Sequence, residues 1–207
     1  MEGSSADLIE YSGNCHCGKF KFTVKLPEIK SALACDCSIC TQVRAINKID
    51  IDSLELSPYK GSEVEPAYVT LSVPGYNAVT VDGEQQQYAG SCHCGAVKYT
   101  LMNKPITEDK VISCNCSMCS RNGDMWIYPN KSAVTLHGAD SLTGYAFLSK
   151  DSLRSFCKTC GVSMLVNNTG PDDKDMPINI RTIHGLDLAG LKLLKYDGKS
   201  KDPQYKV

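Results

Sequence analysis

Residues 88–100 read Tyr88-Ala-Gly-Ser-Cys-His-Cys-Gly-Ala-Val-Lys-Tyr-Thr100, a cysteine loop that leads into a strand of alternating side chains. Residues 11–23, Tyr11-Ser-Gly-Asn-Cys-His-Cys-Gly-Lys-Phe-Lys-Phe-Thr23, show the same pattern 77 positions earlier. A second motif, Cys114-Asn-Cys-Ser-Met-Cys119, is matched by Cys35-Asp-Cys-Ser-Ile-Cys40 at an offset of 79. Self-similarity of this kind indicates a duplicated module.

The two copies differ after their second cysteine motif. The second copy continues to Phe156-Cys-Lys-Thr-Cys-Gly161, which contains a CxxC motif, whereas the first copy has no cysteine between Cys40 and Cys92. We therefore predict two domains: a degenerate first copy, residues 1–84, and a complete second copy, residues 85–207.

Short stretches of alternating hydrophobicity predict a mainly β fold of small antiparallel sheets. Strands are expected at residues 20–26, 97–101, 133–136, 144–148, 162–166 and 178–183. The best helical candidate is Leu186–Leu194, which Gly190 interrupts. Within the repeat, Leu56 aligns with Leu136 at an offset of 80.

The charge composition limits the classes of ligand. Among 207 residues, 22 Lys and Arg nearly balance 23 Asp and Glu, so no basic excess exists to hold a nucleic acid. The acidic N-terminal stretch does not resemble a secretory signal, and no apolar run approaches a membrane span. We expect a cytoplasmic location, with the nucleus left open, and leave open a homo-oligomer.

The 12 cysteines are the unusual feature of the composition. Without an export signal they favour metal binding over disulfides. All of them lie in short motifs, where CxC and CxxC spacing lets two thiolates share one ion. One closed set of four predicts a tetrahedral structural zinc site, and we call these residues the clamp cysteines: Cys92, Cys94, Cys157 and Cys160.

Three further cysteines of the second copy, which we call the trio, are Cys114, Cys116 and Cys119. Three protein ligands leave a fourth zinc position open, which is typical of a catalytic site. The alternative is a fourth ligand from elsewhere, such as His137 or His184. His16 and His93 are expected to be packing residues, because the middle side chain of a CxC motif points away from the metal.

An open zinc site with three thiolates is suited to binding an incoming thiolate beside a carbonyl group. A second anion at such a site requires nearby cations. The candidates are Arg121, Lys150 and Arg154, and the alternative for each is a solvated surface charge.

The first copy retains Cys35, Cys37 and Cys40, which predicts one more zinc ion there. Cys15 and Cys17 have no partner CxxC motif. They either lend a ligand to this set or remain thiols. We expect the second copy to carry the activity alone, because a core of under about 80 residues is difficult to stabilise.

The motifs around Gly90–Tyr99, Cys114–Cys119, Arg154–Gly161 and Asn179–Thr182 resemble the glutathione-dependent formaldehyde-activating enzyme family, which includes the centromere protein V-like proteins. The motifs have the order and spacing found there, with 19 residues between Cys94 and Cys114. The resemblance covers about residues 88–200.

The resemblance implies a β-tent fold, structural zinc on the clamp cysteines and catalytic zinc on the trio. It also implies carbon–sulfur lyase activity, the reversible addition of the glutathione thiol to an aldehyde, which gives S-hydroxymethylglutathione from formaldehyde. The expected partners are therefore a small-molecule thiol and an aldehyde. Two other functions remain: a non-catalytic zinc module that scaffolds a protein partner, and a tailoring enzyme for a larger carbonyl compound.

Overall fold

The computed structural model describes residues 7–35, 42–64, 68–77, 80–81, 84–146, 152–170 and 173–201. These residues form fifteen short β-strands, one α-helix of six residues and several single turns of 3-10 helix. The strands lie in separate sheets of two, four, seven and two strands. The mainly β fold of small sheets that the sequence predicts is therefore confirmed.

The N-terminal part of the chain, residues 1–84, contains two strand pairs. Strands β1 (Ile9–Asn14) and β2 (Lys21–Leu26) form an antiparallel hairpin around the first cysteine loop. Strands β3 (Ser31–Cys35) and β4 (Glu55–Tyr59) pair in parallel.

Most of the remaining strands belong to the C-terminal part, residues 85–207, and one two-residue strand, Thr80–Val81, comes just before it. The strands from β5 onward are β5 (Thr80–Val81), β6 (Gln85–Ser91), β7 (Lys98–Asn103), β8 (Val111–Cys114), β9 (Trp126–Ile127), β10 (Val134–His137), β11 (Leu142–Ala146), β12 (Ser152–Cys157), β13 (Ser163–Asn168), β14 (Ile178–Asn179) and β15 (Leu193–Tyr196). One sheet has the order β10-β7-β6-β5, and the other has the order β11-β12-β13-β14-β9-β8-β15. Neighbouring strands in both sheets are antiparallel, except that β15 and β8 are parallel.

The predicted strands are found to within a few residues, with two differences. The stretch expected at 178–183 is a strand only at Ile178–Asn179 and continues as a 3-10 helix at Ile180–Thr182. The helix suggested at Leu186–Leu194 is wrong, because this segment consists of turns that lead into β15. The apolar side chains of Leu186, Leu188 and Leu191 pack against the core from these turns, and they do not form one face of a helix.

The α-helix α1 (Ser117–Asn122) lies inside the trio and was not predicted. Its N-cap is Cys116, whose sulfur accepts a hydrogen bond from the Cys119 amide, in the way that a serine or aspartate oxygen caps a helix. Gly123 ends the helix in the left-handed conformation, φ 66°. No helix in the described part of the chain has the length and apolar character that a membrane span requires.

The hydrophobic core lies between the two large sheets of the C-terminal part. Its fully buried side chains include Tyr99 and Leu101 from β7, Met164 from β13 and Ile178 from β14. A smaller cluster joins Trp126 to the trio and to Val166 of β13.

The N-terminal part lacks such a core. Among its described residues up to position 64, the buried side chains are the polar ones of Asn14 and His16. Apolar side chains on β3 and β4, such as Leu33 and Leu56, are exposed. The structure of this part therefore depends on contacts with the C-terminal part.

The two CxC loops have the same backbone hydrogen bonds. The Cys15 amide donates to the Phe20 carbonyl at 3.0 Å, and the Cys92 amide donates to the Val97 carbonyl at 2.9 Å. The glycine after each motif has a positive φ, 71° at Gly18 and 74° in the second loop.

The last strands of the two parts also pair in a similar way. Strand β4 pairs in parallel with β3, as β15 does with β8, and Tyr59 and Tyr196 stand opposite Cys35 and Cys114. The alignment of Leu56 with Leu136 is therefore wrong, since the strand of Leu136 pairs antiparallel with β7. The offset of 80 fails here because it matches two strands that pair differently, β4 in parallel with β3 and β10 antiparallel with β7.

The segments just before these last strands also correspond. Ile46 forms an isolated bridge with Gly13, and Ile183 forms one with Gly90. Each follows a 3-10 turn that contains an arginine, Arg44 or Arg181. Among the described residues, the N-terminal part thus has no counterpart of the region from β9 to β14, which includes Cys157 and Cys160.

We predict that Gly90→Ala destabilises the fold. Gly90 stands opposite Tyr99 in the sheet, and an added Cβ would collide with the tyrosine ring. Overpacking of this kind costs about 1–3 kcal/mol, which lowers Tm by roughly 3–10 °C. The matched control is Gly170→Ala, where the nearest atom would be 3.9 Å away. Thermal melting that gives equal Tm values for the two variants would contradict this packing.

Candidate zinc centres

The clamp cysteines come from two segments that are distant in sequence. Cys92 and Cys94 lie in the loop after β6, whereas Cys157 ends β12 and Cys160 lies in the following turn. Their four sulfur atoms lie within 4.8 Å of one another. The Sγ–Sγ distances are 3.6 Å from Cys94 to both Cys92 and Cys157. Zinc–sulfur bonds of about 2.3 Å in a tetrahedron place sulfurs about 3.8 Å apart, so this set fits zinc.

Some of the clamp cysteines lie in surroundings that stabilise the thiolate form. The Val97 amide donates to Cys92 Sγ at 3.3 Å, although burial raises the pKa of this thiol to about 12. Burial also raises the pKa of Cys157. Hydrogen bonds from the Cys160 and Thr159 amides outweigh this effect and lower the pKa to about 7. A divalent cation would compensate the charge of thiolates in this partly buried position.

The trio is held by the junction of β8 and α1. Cys114 ends β8, Cys116 caps α1 and Cys119 lies within the helix, and the three sulfurs are within 4.8 Å of one another. The pKa of Cys116 is lowered by hydrogen bonds from the Cys114 and Cys119 side chains. Among the described residues no histidine, carboxylate or further cysteine joins this group.

The two histidines considered as a fourth ligand lie elsewhere. His184 Nε2 is 2.8 Å from Ser91 Oγ, and burial lowers its pKa. His137 ends β10 and pairs with Lys98 of β7. The described residues therefore favour the open trio over the closed alternative.

Arg154 and Trp126 contact the innermost sulfur of the trio. Arg154 Nη2 donates to Cys119 Sγ at 3.6 Å, and Trp126 Nε1 donates to the same sulfur at 3.4 Å. The guanidinium carbon lies 4.6 Å from the centre of the Trp126 ring. Arg154 Nη1 is buried and has no hydrogen-bond partner among the described residues. An unpaired buried donor of this kind fits a site that receives an anion.

The other two predicted cations have different outcomes. The side chain of Arg121 donates to the Ser117 and Asn14 carbonyls and to Asn47 Oδ1. It therefore joins α1 to the N-terminal part. Lys150 lies outside the described residues.

His16 also joins the two parts of the chain. Its Nε2 is 2.9 Å from Ser117 Oγ, and its Nδ1 is 3.2 Å from Tyr145 OH. Burial and then the charge of Arg121 lower the pKa of His16 to about 4, so the ring is neutral at pH 7. The expectation that this histidine packs is met, but its position beside the trio could not be inferred from a CxC motif.

His93, the corresponding residue of the second loop, has different surroundings. It stacks on Tyr68 with 4.9 Å between ring centroids. The two histidines stand at the middle of the two Cys-His-Cys motifs and make different contacts.

The segment after β15 covers one side of the trio, which the sequence did not suggest. A Cβ at Gly198 would lie 2.5 Å from Cys114 Sγ and 3.0 Å from Cys116 Cβ. Asn115 holds this segment, since its amide group donates to Asp197 Oδ1 and its Oδ1 accepts from the Lys199 amide, both at 2.8 Å. Only glycine allows the chain to pass so close to these cysteines.

The cysteines of the N-terminal part are less fully described. Cys15 and Cys17 have sulfurs 3.5 Å apart, and Cys35 ends β3. Cys37 and Cys40 lie outside the described residues, so the predicted third zinc site stays a prediction. The ten described cysteines form no disulfide with one another.

The family comparison covers both groups of cysteines. Residues 87–189 match the family described as glutathione-dependent formaldehyde-activating enzyme. The chain is also similar to a crystal structure of a Rhodobacter sphaeroides protein, with 27% identity over 52% of this chain and 97% of that chain and a TM-score of 0.45. This region of the chain belongs to the glutathione-dependent formaldehyde-activating enzyme family.

Proposed function

We propose that the protein is a zinc-dependent carbon–sulfur lyase that adds the thiol of glutathione, or of a related small molecule, reversibly to an aldehyde such as formaldehyde. The observation that carries the proposal is the trio, three converging cysteine sulfurs that no fourth ligand among the described residues completes. The family of residues 87–189 supplies the thiol and aldehyde classes.

The trio would hold one zinc ion, and the clamp cysteines would hold another. Zinc at the trio, when bound, supplies a Lewis acid that keeps a thiol substrate deprotonated. In the forward reaction a sulfur–carbon bond forms at the aldehyde carbon. The electron pair of the carbonyl π bond moves to oxygen, which takes a proton from solvent in place of the thiol proton released there. The reverse reaction breaks the same bond.

The protein's own groups offset the negative charge at the trio. Arg154 donates to Cys119 Sγ and has a further buried donor, Nη1, that is unpaired among the described residues. Trp126 lies beneath the guanidinium and adds a second donor to the same sulfur. A neutral or apolar pocket would not stabilise a second anion, which is what an incoming thiolate requires.

The main alternative is a zinc module that scaffolds a protein partner. Such a module has no need for an open metal position, so a capped trio would favour it. The surroundings of Arg154 support the enzyme. A tailoring enzyme for a larger carbonyl compound would use the same chemistry and differ in the aldehyde or ketone that it accepts.

We further propose that the chain contains two copies of one module and that the second copy, residues 85–207, carries the activity. The first copy would serve as a structural element, since its described residues up to position 64 bury only polar side chains. It docks on α1 through His16 and through the carbonyl and amide groups that Arg121 contacts.

The clamp site should contribute to folding. Cys157→Ser removes a ligand that joins distant segments, so we expect loss of one zinc ion per chain and a Tm lower by roughly 10 °C or more. Metal analysis and thermal melting measure both quantities. Full zinc content with an unchanged Tm would rule out a structural zinc ion at this site.

The trio should be needed for turnover. In Cys116→Ala we expect one zinc ion fewer and thiol–aldehyde addition reduced to the uncatalysed rate, while the clamp preserves most of the melting temperature. Cys37→Ala, the corresponding change in the first copy, is the matched control and should retain activity. Equal loss of turnover in two folded variants would contradict the proposed division between the copies.

The contact between His16 and Ser117 should support the trio. His16→Ala leaves buried polar groups unpaired, which costs about 1–3 kcal/mol. We expect a Tm lower by roughly 3–10 °C and a reduced rate, since Ser117 follows a trio cysteine. His93→Ala is the control, because this ring stacks on Tyr68 instead. Smaller effects in His16→Ala than in His93→Ala would show that the first copy does not support the site.

A further inference from the structure

A cavity of about 900 Å³ lies between the N-terminal and C-terminal parts of the chain. One wall comes from β3 and from the 3-10 turn that contains Arg44. The opposite wall comes from residues 160–163, from the turn that contains Arg181 and from residues 186–189. No cysteine of the trio lines this cavity, so it is separate from the proposed catalytic zinc site, although Cys160 of the clamp and Cys35 both lie in its wall.

Two arginines meet at the end of α1 within this cavity. Arg44 Nη1 donates to the Ser120 carbonyl at 3.2 Å, and Arg181 Nε donates to the Gly123 carbonyl at 2.6 Å. A Cβ at Gly123 would lie 3.1 Å from Arg44 Nε, so both guanidinium groups adjoin the same glycine. Arg181 is an exposed residue at the edge of the cavity. Its pKa is lowered chiefly by desolvation of the guanidinium and next by the charge of Arg44, whereas the charge of Asp124 raises it.

This pair of like charges has no acidic partner at contact distance. Among the described residues no carboxylate lies within 4.0 Å of either guanidinium. The nearest buried acid, Asp124, accepts hydrogen bonds from Asn122 and Asn179. Asp187, which also lines the cavity, accepts from the Ala189 amide.

Each guanidinium uses one nitrogen on a backbone carbonyl, and its other N–H groups have no hydrogen-bond partner among the described residues. Free guanidinium donors favour a planar or tetrahedral oxyanion, which they can bind through two oxygens. Elsewhere the cavity walls are mainly apolar. Their side chains include Ala32, Ala34, Val43, Leu186 and Leu188.

We propose that this cavity binds a small organic acid, whose oxyanion group lies between Arg44 and Arg181 and whose apolar body lies against β3. The ligand neutralises two adjacent cations that come from different parts of the chain. Binding therefore also strengthens the contact between these parts.

The test uses the full-length, zinc-loaded protein with three probes: hexanoate, acetate and inorganic phosphate. Calorimetric titration at constant ionic strength measures each dissociation constant. We expect hexanoate to bind most tightly, because each buried methylene strengthens binding by up to about fourfold. Equal dissociation constants for hexanoate and acetate would overturn the assignment of an organic acid. Binding of phosphate without binding of hexanoate would overturn it as well.

Variants then test the two arginines. Arg44→Gln and Arg181→Gln should each weaken hexanoate binding about tenfold or more, because a charged hydrogen-bond donor is lost. The corresponding lysine variants should restore part of the affinity. Lys104→Gln, a change at an exposed ion pair with Asp109, is the control and should bind as the unmodified protein does.

A further variant avoids the risk that loss of Arg44 prevents folding. Ala34→Glu places a carboxylate within the cavity while both arginines remain. We expect it to abolish hexanoate binding and to raise Tm. Hexanoate affinity within twofold of the unmodified protein in this folded variant would overturn the proposal.

Discussion

The convergence of the four clamp sulfurs is the constraint on which the rest of the structure depends. Two of these cysteines lie in the loop after β6 and two lie at the end of β12, and their sulfurs are within 4.8 Å of one another. Cys92 and Cys157 are fully buried and belong to the main core cluster. The candidate metal site and the hydrophobic core therefore involve the same two sheets, so a shift of one would displace the other.

The trio has a different role in the architecture. Its cysteines span six residues at the junction of β8 and α1, so local backbone geometry alone brings the three sulfurs together. Its surroundings come from remote segments: Arg154 from β12, Trp126 from β9 and Gly198 from the segment after β15. The groups around such a local site can change its charge and its hydrogen bonds without loss of the fold. This property suits a reactive centre.

The described residues of the N-terminal part form fewer elements than those of the C-terminal part. They include the CxC hairpin, the parallel strand pair and the turn that contains Arg44, and none of them corresponds to the strands from β9 to β14. Many of the described apolar side chains of this part, such as Leu33 and Leu56, are exposed, and others are half-buried. It is held instead by polar contacts to α1, and these contacts bring Arg44 beside Arg181 and create the cavity between the parts.

The sequence by itself determined the β class, most strand positions and the two sets of cysteines in the C-terminal part that could hold a metal ion. These follow from alternation and from motif spacing, which are local properties that a chain carries in any context. The alignment of Leu56 and the helix at Leu186–Leu194 failed, because pairing partners and core contacts, which are not local, decided those segments. Only the tertiary structure placed His16 at α1, Gly198 against the trio and the two arginines at one glycine. Each of these positions depends on residues more than 55 positions apart, and no spacing rule relates such residues until the sheets have packed.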